Sequence, residues 1–174
     1  ASIQAAKCAR DAGLPVVADL DYVKPGTKDL LPHLTHLISS NNFPQELTGA
    51  SKMVACLLEI NKKFGVPSVG VTLGQEGALF LENDKLVYSP GYRVSAVDTT
   101  GAGDSFHAAF LFGLTSKLKQ EEILNFANAF SALNCMAYGA RGPIRTQLEI
   151  NTLLKHGLRN INEKYKPYAV TPAS

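Results

Sequence analysis

The stretch Asp98-Thr99-Thr100-Gly101-Ala102-Gly103-Asp104 sets an acid, a glycine-rich turn and a second acid directly before the apolar run Ser105-Phe106-His107-Ala108-Ala109-Phe110-Leu111. The first turn of a helix leaves backbone N–H groups without partners and carries roughly half a positive charge, so it attracts anions. Residues without bulky side chains let an anion approach that backbone closely. Gly101, Ala102 and Gly103 are therefore the expected anion hole. Donors of this kind, aimed at charge that develops during reaction, are worth about 3–4 kcal/mol each in acyl-transfer enzymes. Asp104 would repel a bound phosphate unless it served to take a proton from an attacking hydroxyl. That is general-base work, worth about 10²–10⁴-fold in rate, and phosphoryl transfer needs little else beyond positioning and charge neutralisation. An isolated Gly-x-Gly-Asp has a plainer use, a tight turn with an acid stabilising a helix start. Rival phosphate motifs fit poorly: the sequence has no Gly-Lys-Ser/Thr, and Phe106 stands where a dinucleotide-binding turn has its third glycine.

A second glycine turn lies upstream, in Thr72-Leu73-Gly74-Gln75-Glu76-Gly77-Ala78. Alone it reads equally well as a hairpin connection. His33 and His36 have no acid pair or cysteine beside them and are not metal ligands in this reading; His107 and Arg141 are within reach of the glycine turns but carry no assigned role. Cys8, Cys56 and Cys135 are far apart, odd in number and without a Cys-x-x-Cys pair, which reads as buried thiols in a reducing cytosol.

These residues need a scaffold, and the apolar pattern supplies one. Helical periods alternate with short apolar runs, the pattern of strands joined by crossover helices in a mostly parallel sheet. Helices are expected over 2–12, 29–34, 50–64, 103–116, 120–138 and 147–159, and strands over 16–20, 36–40, 68–73, 78–82 and 85–89. The last two strands are joined by a tight turn at Asn83-Asp84, an antiparallel sheet edge. Met53, Leu57, Ile60 and Phe64 mark one buried helix face; Phe106, Phe110 and Leu114 mark another. A loop over 139–143 separates the last two helices, and the segment 166–174, with Pro167 and Pro172, is expected to fray.

With 174 residues, 45% of them hydrophobic and 18% charged, one substantial core is expected, in a single domain over 1–165. A net charge of +2 with scattered Lys and Arg gives no basic stripe, so nucleic acid is excluded as a partner. No apolar run reaches membrane-spanning length and the N-terminus has no secretory pattern, so the expected location is cytoplasmic. The chain opens on Ala1 within a helical pattern, which reads as a cut start.

The string 98–111 resembles the C-terminal signature of the ribokinase-like (PfkB) carbohydrate kinases, Asp-Thr-x-Gly-Ala-Gly-Asp followed by a small-residue helix. The likeness extends over about 16–158. It implies a three-layer α/β/α ribokinase-like fold and a transferase that moves the γ-phosphoryl group of ATP to a hydroxyl of a sugar. Asp104 would be its catalytic base and Gly101, Ala102 and Gly103 its anion hole. Thr72, Gly74 and Gly77 would hold nucleotide phosphates and ribose; Asn128, or else a solvated surface position there, and the Gly139 loop would line the adenine pocket. By the same likeness ATP and Mg²⁺ are the cofactors, and a K⁺-type monovalent cation would sit on Asp98, Thr100 and the stretch 135–140. A homodimer is compatible with it.

One departure stands out. The family's Asn-x-x-Glu, which organises Mg²⁺, is replaced by Asn42-Phe43-Pro44-Gln45; Asp19 and Asp21 are either further acids near the site or, the commoner case, strand-end acids exposed to solvent. The glycine-rich sugar-binding motif and lid of such kinases are missing. The resemblance therefore implies the nucleotide-binding, base-carrying half of a kinase. Two alternatives stay open: a catalytically incomplete nucleotide-binding fragment or pseudokinase, and a kinase of nucleosides or vitamin precursors.

Overall fold

A computed structural model describes residues 1–140 and 145–170. The chain divides into two compact units: Ala1–Thr72 with Leu79–Leu86, and Leu73–Ala78 with the chain from Val87 on.

The first unit begins with helix α1 (Ser2–Asp11) and strand β1 (Val17–Leu20). Helix α2 (Thr27–Leu30) continues as a 3-10 turn, Leu31–His33, then strand β2 (His36–Ser39). Helix α3 (Phe43–Thr48) was not expected. Pro44 is accommodated in its first turn, where proline forfeits only an N–H that has no intrahelical partner. Helix α4 (Met53–Phe64) buries Met53, Cys56, Leu57 and Ile60 as its apolar face required, and strand β3 (Ser68–Thr72) follows. Strands β1, β2 and β3 pair in parallel, His36 standing opposite both Val17 and Ser68.

Strands β4 (Ala78–Glu82) and β5 (Lys85–Ser89) complete a five-stranded sheet in the order β1-β2-β3-β4-β5. Asn83 and Asp84 both have positive φ, 50° and 60°, the geometry of a two-residue hairpin and hence of an antiparallel edge. The class is α/β with a mostly parallel sheet, as expected.

In the second unit, strand β6 (Gly91–Tyr92) precedes three helices: α5 (Ala102–Thr115), α6 (Gln120–Asn134) and α7 (Gln147–His156). Tyr92, Ala129, Leu133 and Ile150 form a core cluster with Phe126, Phe130 and Leu153 packed on it. Helix α7 starts on a reciprocal cap in which Glu149 N donates to Thr146 Oγ1 at 3.2 Å and Thr146 N donates to Glu149 Oε2 at 2.8 Å.

Two helix ends fall short of expectation. Helix α6 stops at Asn134 instead of 138, because the chain turns where Cys135 O accepts N–H groups from Val97 and Asp98. Helix α7 stops at His156 instead of 159, because Gly157 is extended and β7 (Arg159–Asn160) pairs antiparallel with β6. Within the segment from 166, described as far as Val170, Lys166–Tyr168 form a 3-10 turn and Val170 N donates to Tyr88 O at 2.9 Å. Of the cysteines, Cys56 and Cys135 are buried but Cys8 is exposed, on the outward face of α1.

Candidate active site

Gly101 is the N-cap of α5 and has φ +74°. A side chain there would be strained, and its Cβ would lie 2.7 Å from Ala140 O. Glycine is thus needed twice over, for the left-handed conformation and for the close approach of the 140 loop. Ser105 N and Ser105 Oγ both donate to Gly101 O, at 2.9 and 2.8 Å, which locks the first turn of α5.

The residues of the expected anion hole, Gly101, Ala102 and Gly103, differ in what their backbone N–H groups do. Ala102 N donates to Thr99 O at 3.1 Å, so its hydrogen is already used. The N–H groups of Gly101, Gly103 and Asp104 have no hydrogen-bond acceptor among the described residues. They are the helix-start donors that an anion would satisfy. The Asp104 side chain, in the first turn of α5, is exposed and accepts no hydrogen bond from the described residues. Its lone pairs are open to a proton. His107, one turn on, is directed back along the helix, with Nδ1 2.8 Å from Gly103 O.

Asp98 staples this turn to the chain after α6. Its Oδ1 accepts from Thr100 N at 2.9 Å and its Oδ2 from Gly139 N at 2.8 Å. These bonds stabilise the carboxylate and hold its pKa below the ordinary aspartate value. Burial, with the Asp98 charge adding to it, pushes the Cys135 thiol up. Gly139 and Asp98, predicted to share the site, are therefore in contact. Arg141, Gly142 and Pro143 lie outside the described residues.

The upstream turn is a 3-10 turn, Gly74–Glu76, between β3 and β4. It closes on itself: Leu73 N donates to Gly77 O at 2.8 Å and Gly77 N to Gly74 O at 3.0 Å. Gly77 (φ +98°) lies against the 89–91 backbone, where an added Cβ would be 2.1 Å from Ser89 O. Thr72, at the end of β3 in the first unit, turns its hydroxyl to Ser39 O at 3.4 Å.

Asn128 is not a solvated surface residue. It is 7% exposed and its Nδ2 donates to Ser89 O at 2.9 Å and Ser89 Oγ at 2.8 Å. Its amide nitrogen holds the strand end beside the upstream turn, and only its carbonyl oxygen is left for another partner. Three residues on, Ser131 Oγ donates to Ala102 O at 2.8 Å. Residues three apart share a helix face, so one face of α6 fixes both glycine turns. Ser131, Ser89 and Arg159 were missed in the sequence because a lone polar residue gives no signal of what it will face.

In the first unit, Asn42 precedes α3 and Gln45 Nε2 donates to Ser51 O at 3.0 Å, so the variant Asn-x-x-Gln is partly spent on local structure. Asp19 and Asp21 are exposed. No group of three or more His, Cys, Asp or Glu placed to hold a metal occurs among the described residues, and no helix among them is long and apolar enough to cross a membrane.

The family model described as pfkB family carbohydrate kinase matches residues 2–147. Ribokinase of Lactococcus lactis subsp. lactis is 33% identical over 150 residues, covering 84% of this chain and 43% of that protein. Ribokinase of Bacillus subtilis is 32% identical over 146 residues, covering 81% and 46%. The solved structure of Arabidopsis thaliana ribokinase complexed with ribose and ATP matches with a TM-score of 0.76 at 31% identity, covering 88% of this chain and 52% of that one. The chain thus spans slightly less than half the length of these two curated relatives.

Proposed function

Because the chain belongs to the pfkB family of carbohydrate kinases, we propose that it supplies the nucleotide-binding and proton-accepting part of an ATP-dependent kinase acting on a hydroxyl of a sugar. The observation that carries this reading is the start of α5, where three N–H groups without acceptors among the described residues stand beside the exposed Asp104 carboxylate. Asp104 takes the proton of the acceptor hydroxyl as its oxygen attacks the γ-phosphorus; the bond from that phosphorus to the β,γ-bridging oxygen breaks and ADP leaves. The N–H groups of Gly101, Gly103 and Asp104 receive the charge on the transferring group. Gly74 and Gly77 shape the turn for the nucleotide phosphates, Thr72 leads into it, Asn128 holds the strand end beside it, and Gly139 orders the 98–104 turn through Asp98.

Mg²⁺, carried in by the nucleotide, would neutralise phosphate charge. With no described carboxylate cluster to cage it, its protein ligands would be few, as is usual for this ion. A monovalent cation would rest on backbone carbonyls: the Asp98 carboxylate oxygens and Cys135 O already accept N–H donors, while the backbone oxygens of Asp98, Thr100 and 136–140 accept none among the described residues. No step is derived through such an ion.

The test is Asp104→Asn in the protein at its natural length, assayed with ATP on a panel of sugars. Turnover is expected to fall by about 10²–10⁴-fold while ATP affinity stays within a small factor. Near-normal turnover would sink the assignment. A second reading, a nucleotide-binding module without turnover, is favoured by Gln45 standing where the family pattern has Glu. ATP binding by calorimetry with no turnover on any sugar would select it.

A further inference from the structure

The segment 159–162 makes a set of contacts that the reaction does not use. Asn160 Nδ2 donates to Gln75 O at 3.1 Å, and Asn162 Nδ2 donates to Glu76 Oε2 at 2.6 Å. Asn162 N donates to Tyr88 Oη at 3.0 Å, and that hydroxyl donates to Glu76 O at 2.7 Å. Two residues of the 3-10 turn are thus gripped by a segment more than eighty positions away in sequence.

Arg159 holds the floor beneath the same turn. Its Nε donates to Pro90 O at 3.0 Å and its Nη2 to Ser89 Oγ at 3.0 Å and Asn125 Oδ1 at 2.9 Å, while the guanidinium lies 3.9 Å from the centre of the Tyr92 ring. No carboxylate pairs with it in these contacts; neutral oxygens and a π face satisfy it instead. Burial weakens its hold on the proton, yet an arginine stays charged. The backbone it fixes touches the turn directly. A Cβ on Gly91 would lie 2.2 Å from Gln75 O. With no room between them, a shift at 89–91 is passed to the turn.

We propose that Arg159, Asn160 and Asn162 form a positioning clamp that presets the 74–77 turn for nucleotide phosphates. The proposal rests on the reading of that turn as nucleotide-binding. None of the three touches the reacting atoms. Their effect is on ATP binding: a turn already in its bound shape spends no affinity on being ordered.

The experiment titrates the chain with Mg²⁺ and ATP by calorimetry, wild type beside Asn160→Ala/Asn162→Ala, well below each melting temperature. The double variant is expected to bind ATP about tenfold more weakly, the size of one lost charge-assisted hydrogen bond. Arg159→Met should weaken binding further than Arg159→Lys, which keeps one donor. In the protein at its natural length the same variants should raise KM for ATP and leave kcat within about twofold. Unchanged ATP affinity in a variant whose melting temperature falls overturns the clamp, since the segment would then be structural only. If the double variant does not fold, Asn160→Ala alone, which loses the bond to Gln75 O, is read by the same measure. Absence of ATP binding in the wild type refutes the nucleotide reading itself, and the clamp with it, a result separable from the first.

Discussion

The two glycine turns of the second unit are held in different ways. The 74–77 turn closes on itself through the N–H groups of Leu73, Glu76 and Gly77, leaves those of Gly74 and Gln75 without acceptors among the described residues, and is held from outside by side chains of a distant segment. The turn at 101–104 leaves three N–H groups open and takes its order from α5 behind it, through Ser105, and from the Asp98 staple. Open donors at the start of a long helix are aimed by the helix behind them. Open donors on a three-residue turn have no such support, and side chains from elsewhere must hold it. The difference predicts that substitutions will act on the two turns through different quantities.

The largest effect belongs to Gly77→Ala. At φ +98° the backbone strain alone costs about 1–3 kcal/mol, and the new Cβ would meet Ser89 O, a backbone atom that cannot swing away. Loss of measurable ATP binding with a lowered melting temperature is expected. Gly101→Ala should cost less. The left-handed conformation is worth about 1–2 kcal/mol against alanine, and the approach to Ala140 O, at 2.7 Å, is less severe than the 2.1 Å that a Cβ on Gly77 would have to Ser89 O. Comparable losses in both variants, by calorimetry and thermal melts, would break the contrast.

Next in size is Asn128→Ala. It removes two hydrogen bonds and leaves Ser89 O without the Asn128 donor in a buried place, which costs about 1–3 kcal/mol. The loss should appear in the urea midpoint. If Asn128 instead meets the base mainly through its free carbonyl oxygen, ATP affinity will fall while the midpoint stays, and its role as wall support is refuted.

Local chemistry in this chain was legible in sequence, and distant pairing was not. Alternating periods gave the strands and most helices, and the acids and glycines at 98–104 were found from spacing alone, since a helix start is written in a few consecutive residues. Which N–H groups stay open was not legible, because Thr99 O captures Ala102 N only once the turn is folded. Helix α3 was not anticipated because six residues are too few for a helical period to show. The ends of α6 and α7 were overrun because Cys135 O and Arg159 leave their helical patterns for partners at 97–98 and 89–92. Asn128 was legible as polar on a helix, but its direction was set by Ser89, 39 residues away. The Asn-x-x-Gln departure was visible at once, since it depends on identity and spacing only.

The smallest effect tests the staple itself. Asp98 has its carboxyl pKa held below the ordinary value by N–H donors from Thr100 and Gly139. A depressed carboxylate stabilises the fold fully above its unfolded pKa, about 3.9, and loses that contribution as pH falls through the lower folded value. Asp98→Asn keeps the shape but cannot present two anionic acceptors. Its deficit in urea midpoint should therefore be present at pH 7 and shrink below about pH 4 as the wild-type carboxylate takes up its proton. The effect is modest because water screens a partly exposed group. A deficit that stays constant into acid would mean that the loops at 98–101 and 139–140 are held by packing of Gly101 on Ala140 and not by the charge. The turn at 101–104 would then be ordered by packing, whereas its neighbour is ordered by the side-chain hydrogen bonds of a distant segment.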